Sequence, residues 1–181
     1  MSSTWQRIVA AWGSLRSRFW AALLMDAMAL ILVFILISNW QTRNLPDDGD
    51  TPPLQAVWLD DWKADSALEP GKSGVVYFFA PWCSICRVSI DNLDELVKSG
   101  DIEWARVVAL DYSSLDEVRA FIVDTDVELP VILGSAETAR DWQIQGFPTY
   151  FIIDADGNIS SRSVGYSTRL GLKARAWLNK S

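Results

Sequence analysis

Two cysteines, Cys83 and Cys86, stand three positions apart in the run Pro81-Trp82-Cys83-Ser84-Ile85-Cys86, and the 181-residue chain has no others. Thiol–disulfide exchange needs one accessible thiolate to attack and a second thiol to resolve the mixed disulfide. Cys83 follows Val75–Ala80 (VVYFFA), a short apolar run of strand composition broken by Pro81-Trp82, and it lies at the mouth of a helix. There the unpaired N–H groups and the macrodipole favour negative charge, which suits an attacking thiolate. Cys86, Ile90, Leu93 and Val97 fall at i, i+4, i+7 and i+11, one face of that helix, so Cys86 turns toward the core. The roles follow: Cys83 is the nucleophile, Cys86 the resolving thiol, and the two form a redox-active disulfide. The competing reading, two isolated buried thiols, has to ignore the strand, the helix register and the pairing together.

Composition narrows the chemistry further. Histidine is absent, which removes His-based general bases, His metal ligands and haem attachment through Cys-x-x-Cys-His. Structural zinc normally takes four Cys or His ligands, so no metal and no cofactor is expected. A formal net charge of −7 lacks the basic stripe that phosphate backbones require, so no nucleic-acid partner is expected. Half the residues are hydrophobic, enough for a packed core.

The elements that must hold the pair read as alternating strands and helices. Asp91, Asp94, Glu95 and Lys98 take the outer face of the first helix, and Gly100 ends it. Ala105–Leu110 is a strand. Ser114 and Glu117 then make a capping box for a helix whose Leu115, Val118, Phe121 and Ile122 point inward. Leu129–Leu133 reads as a strand and Ala136–Trp142 as a short helix. Tyr150–Asp154 and Ile159–Ser163 are strands joined at Asp156-Gly157-Asn158. A last helix is expected to bury Leu170, Ala174, Trp177 and Leu178. The order β-α-β-α-β-α-β-β-α, preceded by a possible strand near Ala56–Leu59, implies an α/β fold with a mixed central sheet flanked by helices.

Ahead of this domain, Phe19–Ser38 (FWAALLMDAMALILVFILIS) is apolar except for Asp26 and the closing serine. Twenty helical residues rise about 30 Å, the thickness of a bilayer core. Trp20 and Trp40 bracket the run; Arg7, Arg16 and Arg18 precede it, and Arg43 and then Asp47, Asp48 and Asp50 follow. The positive-inside rule puts residues 1–18 in the cytoplasm, a transmembrane signal-anchor helix at 19–40, a periplasmic linker at 41–53 and the folded domain at 54–181, outside the bacterial inner membrane. A cleaved signal peptide is the alternative, but its apolar region is usually shorter and Ser38-Asn39-Trp40 is a poor cleavage site. Trp5, Ile8, Val9, Trp12 and Leu15 suit an interfacial helix or the start of the anchor. Asp26 either reaches back to the interface or meets another helix.

At this point a resemblance is plain. FFAPWCSICR resembles the active site of the thioredoxin superfamily, and Gly146-Phe147-Pro148-Thr149 resembles its cis-proline turn. The following IIDADGNI is similar to the last hairpin of the membrane-anchored bacterial branch, the TlpA type. The Leu129–Leu133 strand and the helix after it resemble that branch's insertion. The resemblance implies a thioredoxin-like fold behind the N-terminal helix and a cis peptide before Pro148. It also implies substrate binding by Trp82, Phe147 and Pro148, with the Phe147 backbone pairing to a client chain. Two positions depart from it: Tyr77 stands where thioredoxins carry a buried Asp, and Ser89 where TlpA-type cytochrome-maturation reductases carry a Glu. Both absent carboxylates shuttle the proton of the resolving thiol in the family, and their absence is nearer the suppressor-of-copper-sensitivity branch.

Three functions fit this sequence: a reductase or isomerase of periplasmic protein disulfides fed by a membrane electron donor, a dithiol oxidase, and a dedicated redox-active partner of one client such as an apocytochrome or copper-handling protein. Reduction potential separates the first two.

Overall fold

The computed structural model describes residues 3–42, 45, 51–55, 57–59 and 67–178, and the side chains of residues 3–19, 21, 38 and 41 lie outside that description. The side chains of Trp5, Arg7, Ile8, Val9, Trp12, Leu15, Arg16, Arg18 and Phe19, and all of Ala56 and of Pro46–Asp50, therefore fall outside the described structure. The chain divides into two units, Met1–Gln41 and Thr42–Ser181.

The first unit is helical: α1 runs from Ser3 to Thr42, and its described residues from Ala22 to Ile37 are all exposed. Among the described residues, no helix is long and apolar enough to cross a membrane.

The second unit is a five-stranded sheet in the order β3-β2-β1-β4-β5. Its strands are β1 (Gly74–Phe79), β2 (Trp104–Ala109), β3 (Val131–Leu133), β4 (Thr149–Ile153) and β5 (Ile159–Val164). β1, β2 and β3 run parallel through the crossover helices α2 (Ser84–Lys98) and α3 (Leu115–Thr125), while β4 and β5 pair antiparallel. Two shorter helices complete it, α4 (Ala136–Asp141) and α5 (Arg169–Leu178). The order anticipated from the sequence is the order found. Val57–Leu59 adds an antiparallel edge to β3, with a bridge from Trp58 to Ile132 and a bond from Leu59 N–H to the Val131 carbonyl (3.0 Å).

Because strand side chains alternate between faces, β1 serves two cores at once. Val75, Tyr77 and Phe79 join Cys86, Ile90 and Leu93 of α2, Val118 and Phe121 of α3, and Leu172 and Ala176 of α5. Val76 and Phe78 point the other way, to Trp142, Phe151 and Leu45. Local chemistry ends the elements where it should. Gly100, at φ +74°, follows α2 and donates to the Val97 carbonyl, and Gly157, at φ +88°, makes the β4–β5 turn; glycine adopts both without a Cβ penalty. Ser114 caps α3 as expected, accepting from Glu117 N–H, but the Glu117 carboxylate returns to the amide of Ser113 rather than to that of the cap.

Four details differ from the sequence reading. On α2, Asp94, expected on the outer face, is buried, its charge met by Lys98 at 2.9 Å one turn on. In α5 the buried residues are Leu172 and Ala176, whereas Leu170, Ala174, Trp177 and Leu178 are exposed. Leu172 and Ala176 join Ile90 and Leu93 of α2 in the core, and in that orientation Arg175 bonds the hydroxyls of Ser163 and Ser167, Arg169 pairs with Glu95, and Lys173 pairs with Asp101. In α3, Leu115 is exposed on the first turn and Val118 and Phe121 fill the core. Within the stretch read as linker, Leu45 is buried, and the Thr51 hydroxyl bonds the Gly157 carbonyl.

Candidate redox site

Cys83 is the N-cap of α2, extended at φ −78° and ψ 106°, and its sulfur accepts the Cys86 backbone N–H at 3.1 Å. That position follows from Pro81-Trp82, which breaks the strand; Cys83 N–H closes the turn onto the Ala80 carbonyl. The two cysteines are joined as a disulfide with their Cα atoms 5.2 Å apart. Cys83 keeps 6% of its surface in contact with solvent and Cys86 none. The sequence reading thus placed both residues on the elements where they occur, with the outer sulfur at the helix mouth and the inner one in the core.

Trp82 stands beside the pair, 63% exposed. Its indole N–H donates to both the carbonyl and the carboxylate of Asp111, each at 3.1 Å, and its ring meets the edge of Phe147 at 5.8 Å. Asp111 holds φ +50°, a left-handed conformation that Asp tolerates better than most residues. Phe147 packs partly buried against the cluster that contains both cysteines, and the Phe147–Pro148 peptide bond is cis. Pro148 itself is buried, and its carbonyl accepts from Gly165 N–H at 2.7 Å. From Phe147 a groove of about 580 Å³ opens past Leu110, Asp111, Tyr112, Gly134 and Ile144. The β3–α4 segment forms its far wall.

On the other side of the helix mouth, Arg87 lies over the Phe121 ring at 5.0 Å, bonds the Pro81 carbonyl and pairs with Asp124 at 2.8 Å. It ties the active turn to α3.

Beneath Cys86 the structure assembles residues that the sequence could present only separately. Tyr77 of β1 donates its hydroxyl to the Cys86 carbonyl at 3.1 Å, and Ser89, one turn along α2, lies 3.0 Å from the same hydroxyl. Tyr150, the register partner of Tyr77 on β4, meets its ring edge-on at 4.8 Å. Burial, reinforced by Tyr150, pushes the Tyr77 phenol far above the ordinary tyrosine range. Burial pushes Tyr150 up to about 12, against the pull of the Ser89 hydroxyl, the Ser167 backbone and Tyr77. Asp111, Tyr150 and Arg87 carry no site signal in the sequence; Asp111 reads there only as a turn-forming residue past a strand end. Among the described residues, no group of three or more His, Cys, Asp or Glu side chains could hold a metal.

Comparison with known proteins places this geometry. The redoxin family model matches residues 49–174. The thioredoxin-like protein YneN of Bacillus subtilis is 30% identical over 152 residues, covering 77% of this chain and 89% of that one. The thiol:disulfide interchange protein CycY of Rhizobium leguminosarum is 33% identical over 112 residues, covering 60% of this chain and 58% of its own length. A crystal structure of a thiol:disulfide interchange protein from Chlorobium tepidum superposes with a TM-score of 0.62 at 25% identity, over 75% of this chain and 99% of that one. The chain belongs to the redoxin family, and with a Cys-x-x-Cys disulfide at the head of α2 on a thioredoxin-like sheet it is a thiol–disulfide oxidoreductase.

Proposed function

We propose that this oxidoreductase reduces or isomerises disulfides of client proteins in the bacterial periplasm, tethered to the inner membrane by its N-terminal helix. Cys83 attacks the client disulfide, and Cys86 resolves the mixed disulfide. The observation that carries the roles is the cap geometry: the Cys83 sulfur accepts a free helix N–H, while Cys86 is fully buried. A thiolate at Cys83 inherits that N–H and the helix dipole. Trp82, Phe147 and Pro148 hold the client chain, Trp82 being the exposed aromatic wall braced on Asp111 and Phe147.

The anchor at 19–40, the cytoplasmic segment 1–18, the linker 41–53 and the soluble domain 54–181 rest on the sequence: the apolar run Phe19–Ser38, the flanking Trp20 and Trp40, and arginines before it with aspartates after. An oxidising compartment requires a membrane electron donor to keep the pair reduced for this work.

The test is a Cys86→Ser variant of the full chain in cells. It retains the attacking thiol and loses the resolving one, so client mixed disulfides should accumulate and disappear on reduction. A folded variant that captures no client would sink the exchange reading. Capture combined with a potential near the strong periplasmic oxidants, about −120 mV, would reverse the proposed direction.

A further inference from the structure

Behind the resolving sulfur, where α2 crosses β1 and β4, the polar side chains in contact are neutral hydroxyls. Tyr77 and Ser89 are both fully buried, and both direct their hydroxyls at the Cys86 carbonyl, at 3.1 and 3.3 Å. Tyr150 is 1% exposed, and its hydroxyl lies near Ser89, Tyr77 and the Ser167 backbone but meets none of them in full hydrogen-bond geometry. A buried polar group costs free energy unless it is bonded, so three of them gathered under one cysteine are not core filling.

Groups that could serve as a base here are few. Asp91, on the exposed side of α2, interacts with Tyr77 only through space, and its carboxyl is raised by partial burial and then by Asp94 and Glu95. Tyr166, after β5, interacts with Tyr150 in the same way. From α3 and α5 the packed residues are apolar: Val118, Phe121, Leu172 and Ala176. Arg87 is turned away toward Asp124. The two buried phenols stay protonated throughout the biological range, since burial raises both.

We propose that Tyr77 and Ser89 are positioning residues for the resolving cysteine: they tie its main chain to β1 and, with no base for its thiol among the described residues, resolution depends on water to take the Cys86 proton once the mixed disulfide has opened the pair. This rests on the exchange reading above. In the step itself, the mixed disulfide with the client has opened the Cys83–Cys86 pair, and Cys86 first loses its proton to water that reaches it there. Its sulfur then forms the bond to the Cys83 sulfur as the Cys83–client bond breaks. The client sulfur leaves with the electron pair of the broken bond and is protonated by solvent. Cys83 and Cys86 end oxidised as a disulfide, and the client sulfur ends reduced as a thiol.

The experiment is stopped-flow mixing of the reduced full chain, in mild detergent, with the aromatic disulfide dithiobis(nitrobenzoate). The first release of coloured thiolate reports attack by Cys83, and the second reports resolution by Cys86. In the wild type the second phase should accelerate about tenfold per pH unit from about pH 5.5 to 7.5, following the thiolate fraction. Ser89→Glu places a carboxylate beside Cys86, and should raise the second phase at least about tenfold near pH 6 and flatten its slope. Tyr77→Phe should slow the second phase severalfold with the slope retained, and this arm together with the wild-type profile decides the matter if Ser89→Glu does not fold. A flat wild-type profile over that range, or a Tyr77→Phe second phase equal to wild type, overturns the inference. A missing first phase would instead sink the exchange reading, and this inference with it.

Discussion

Gly74 opens β1 opposite Trp104 of β2, and the two share the face of the sheet away from the cysteines. A Cβ added at Gly74 would lie inside the Trp104 ring, overlapping Cδ2 and Cε2 and standing 2.6 Å from the indole nitrogen. That ring has little freedom to yield: it is 2% exposed, its N–H donates to the Lys72 carbonyl at 3.0 Å, and the Arg106 guanidinium lies 5.4 Å from its centre. Gly74→Ala must therefore displace the indole by about 1 Å. The lost hydrogen bond is worth about 1 kcal/mol net, and the overpacking about 1–3 kcal/mol. For the unit Thr42–Ser181, roughly 140 residues, an unfolding entropy near 0.3 kcal/mol/K converts a total of about 2–4 kcal/mol into a Tm lower by about 7–14 °C. Thermal unfolding followed by near-ultraviolet circular dichroism on the oxidised protein measures this directly. Trp104→Leu removes the obstacle, so the double variant should be less destabilised than the two single changes added together. A Gly74→Ala protein within about 2 °C of wild type, or strict additivity with Trp104→Leu, would refute the steric argument.

Other outcomes follow from the same geometry. Brief alkylation of the reduced protein near neutral pH should label Cys83 and spare Cys86, because only Cys83 reaches solvent; mass spectrometry that finds Cys86 labelled first would reverse the assigned roles. Glu69 gives a pH test: burial alone would raise its carboxyl, but the bonds from Lys72 and Arg106 outweigh burial and hold it below the ordinary 4.5. A depressed folded value means that its stabilisation is complete above about pH 4.5 and fades as pH falls through the folded value. Glu69→Gln, which strands the buried Arg106, should cost about 1–2 kcal/mol at pH 7 after allowance for solvent exposure. That gap should narrow as pH falls through the folded value; urea midpoints with an equal gap at pH 7 and in acid would contradict it. Asp111→Gly removes one of the two Trp82 acceptors while relieving the left-handed backbone, two effects of about 1 kcal/mol in opposite directions. Its unfolding midpoint should stay near wild type while KM for a peptide disulfide rises a few-fold, and a large midpoint shift with unchanged KM would be the wrong result.

Much of the fold was legible because its signals are local. A run such as VVYFFA between a glycine and a Pro-Trp break can be little but a buried strand, and α2 declares its buried face through Cys86, Ile90 and Leu93. What failed depended on distant partners. In α5 two stripes compete at helical spacing, Leu170-Ala174-Trp177-Leu178 and Leu172-Ala176, and apolar bulk favours the first. The structure buries the second, which joins Ile90 and Leu93 of α2 in the core, partners that no spacing within α5 reveals. Leu45, inside a stretch of linker composition, is buried for a similar reason, in a cluster whose other buried members begin at Ala67.

The site divides along the same line. Cys83 and Cys86 are neighbours in sequence and chemically rare, so their positions at the helix mouth and in the core could be read from one helical turn. Tyr77 and Ser89 are common residues on different elements, and alone each reads as a position where an expected carboxylate is missing. Their function as a pair exists only because β1 is central. As the strand between β2 and β4, it points Tyr77 at the underside of α2 and brings Tyr150 beside it in register. The same alternation sends Phe78 to the opposite core, 5.1 Å from Trp142. One strand thus fixes the resolving cysteine from below while holding the two cores of the sheet together. Removing the Tyr77 hydroxyl leaves the aromatic packing in place, so a change confined to the pH behaviour or rate of resolution separates positioning of Cys86 from mere support of the fold.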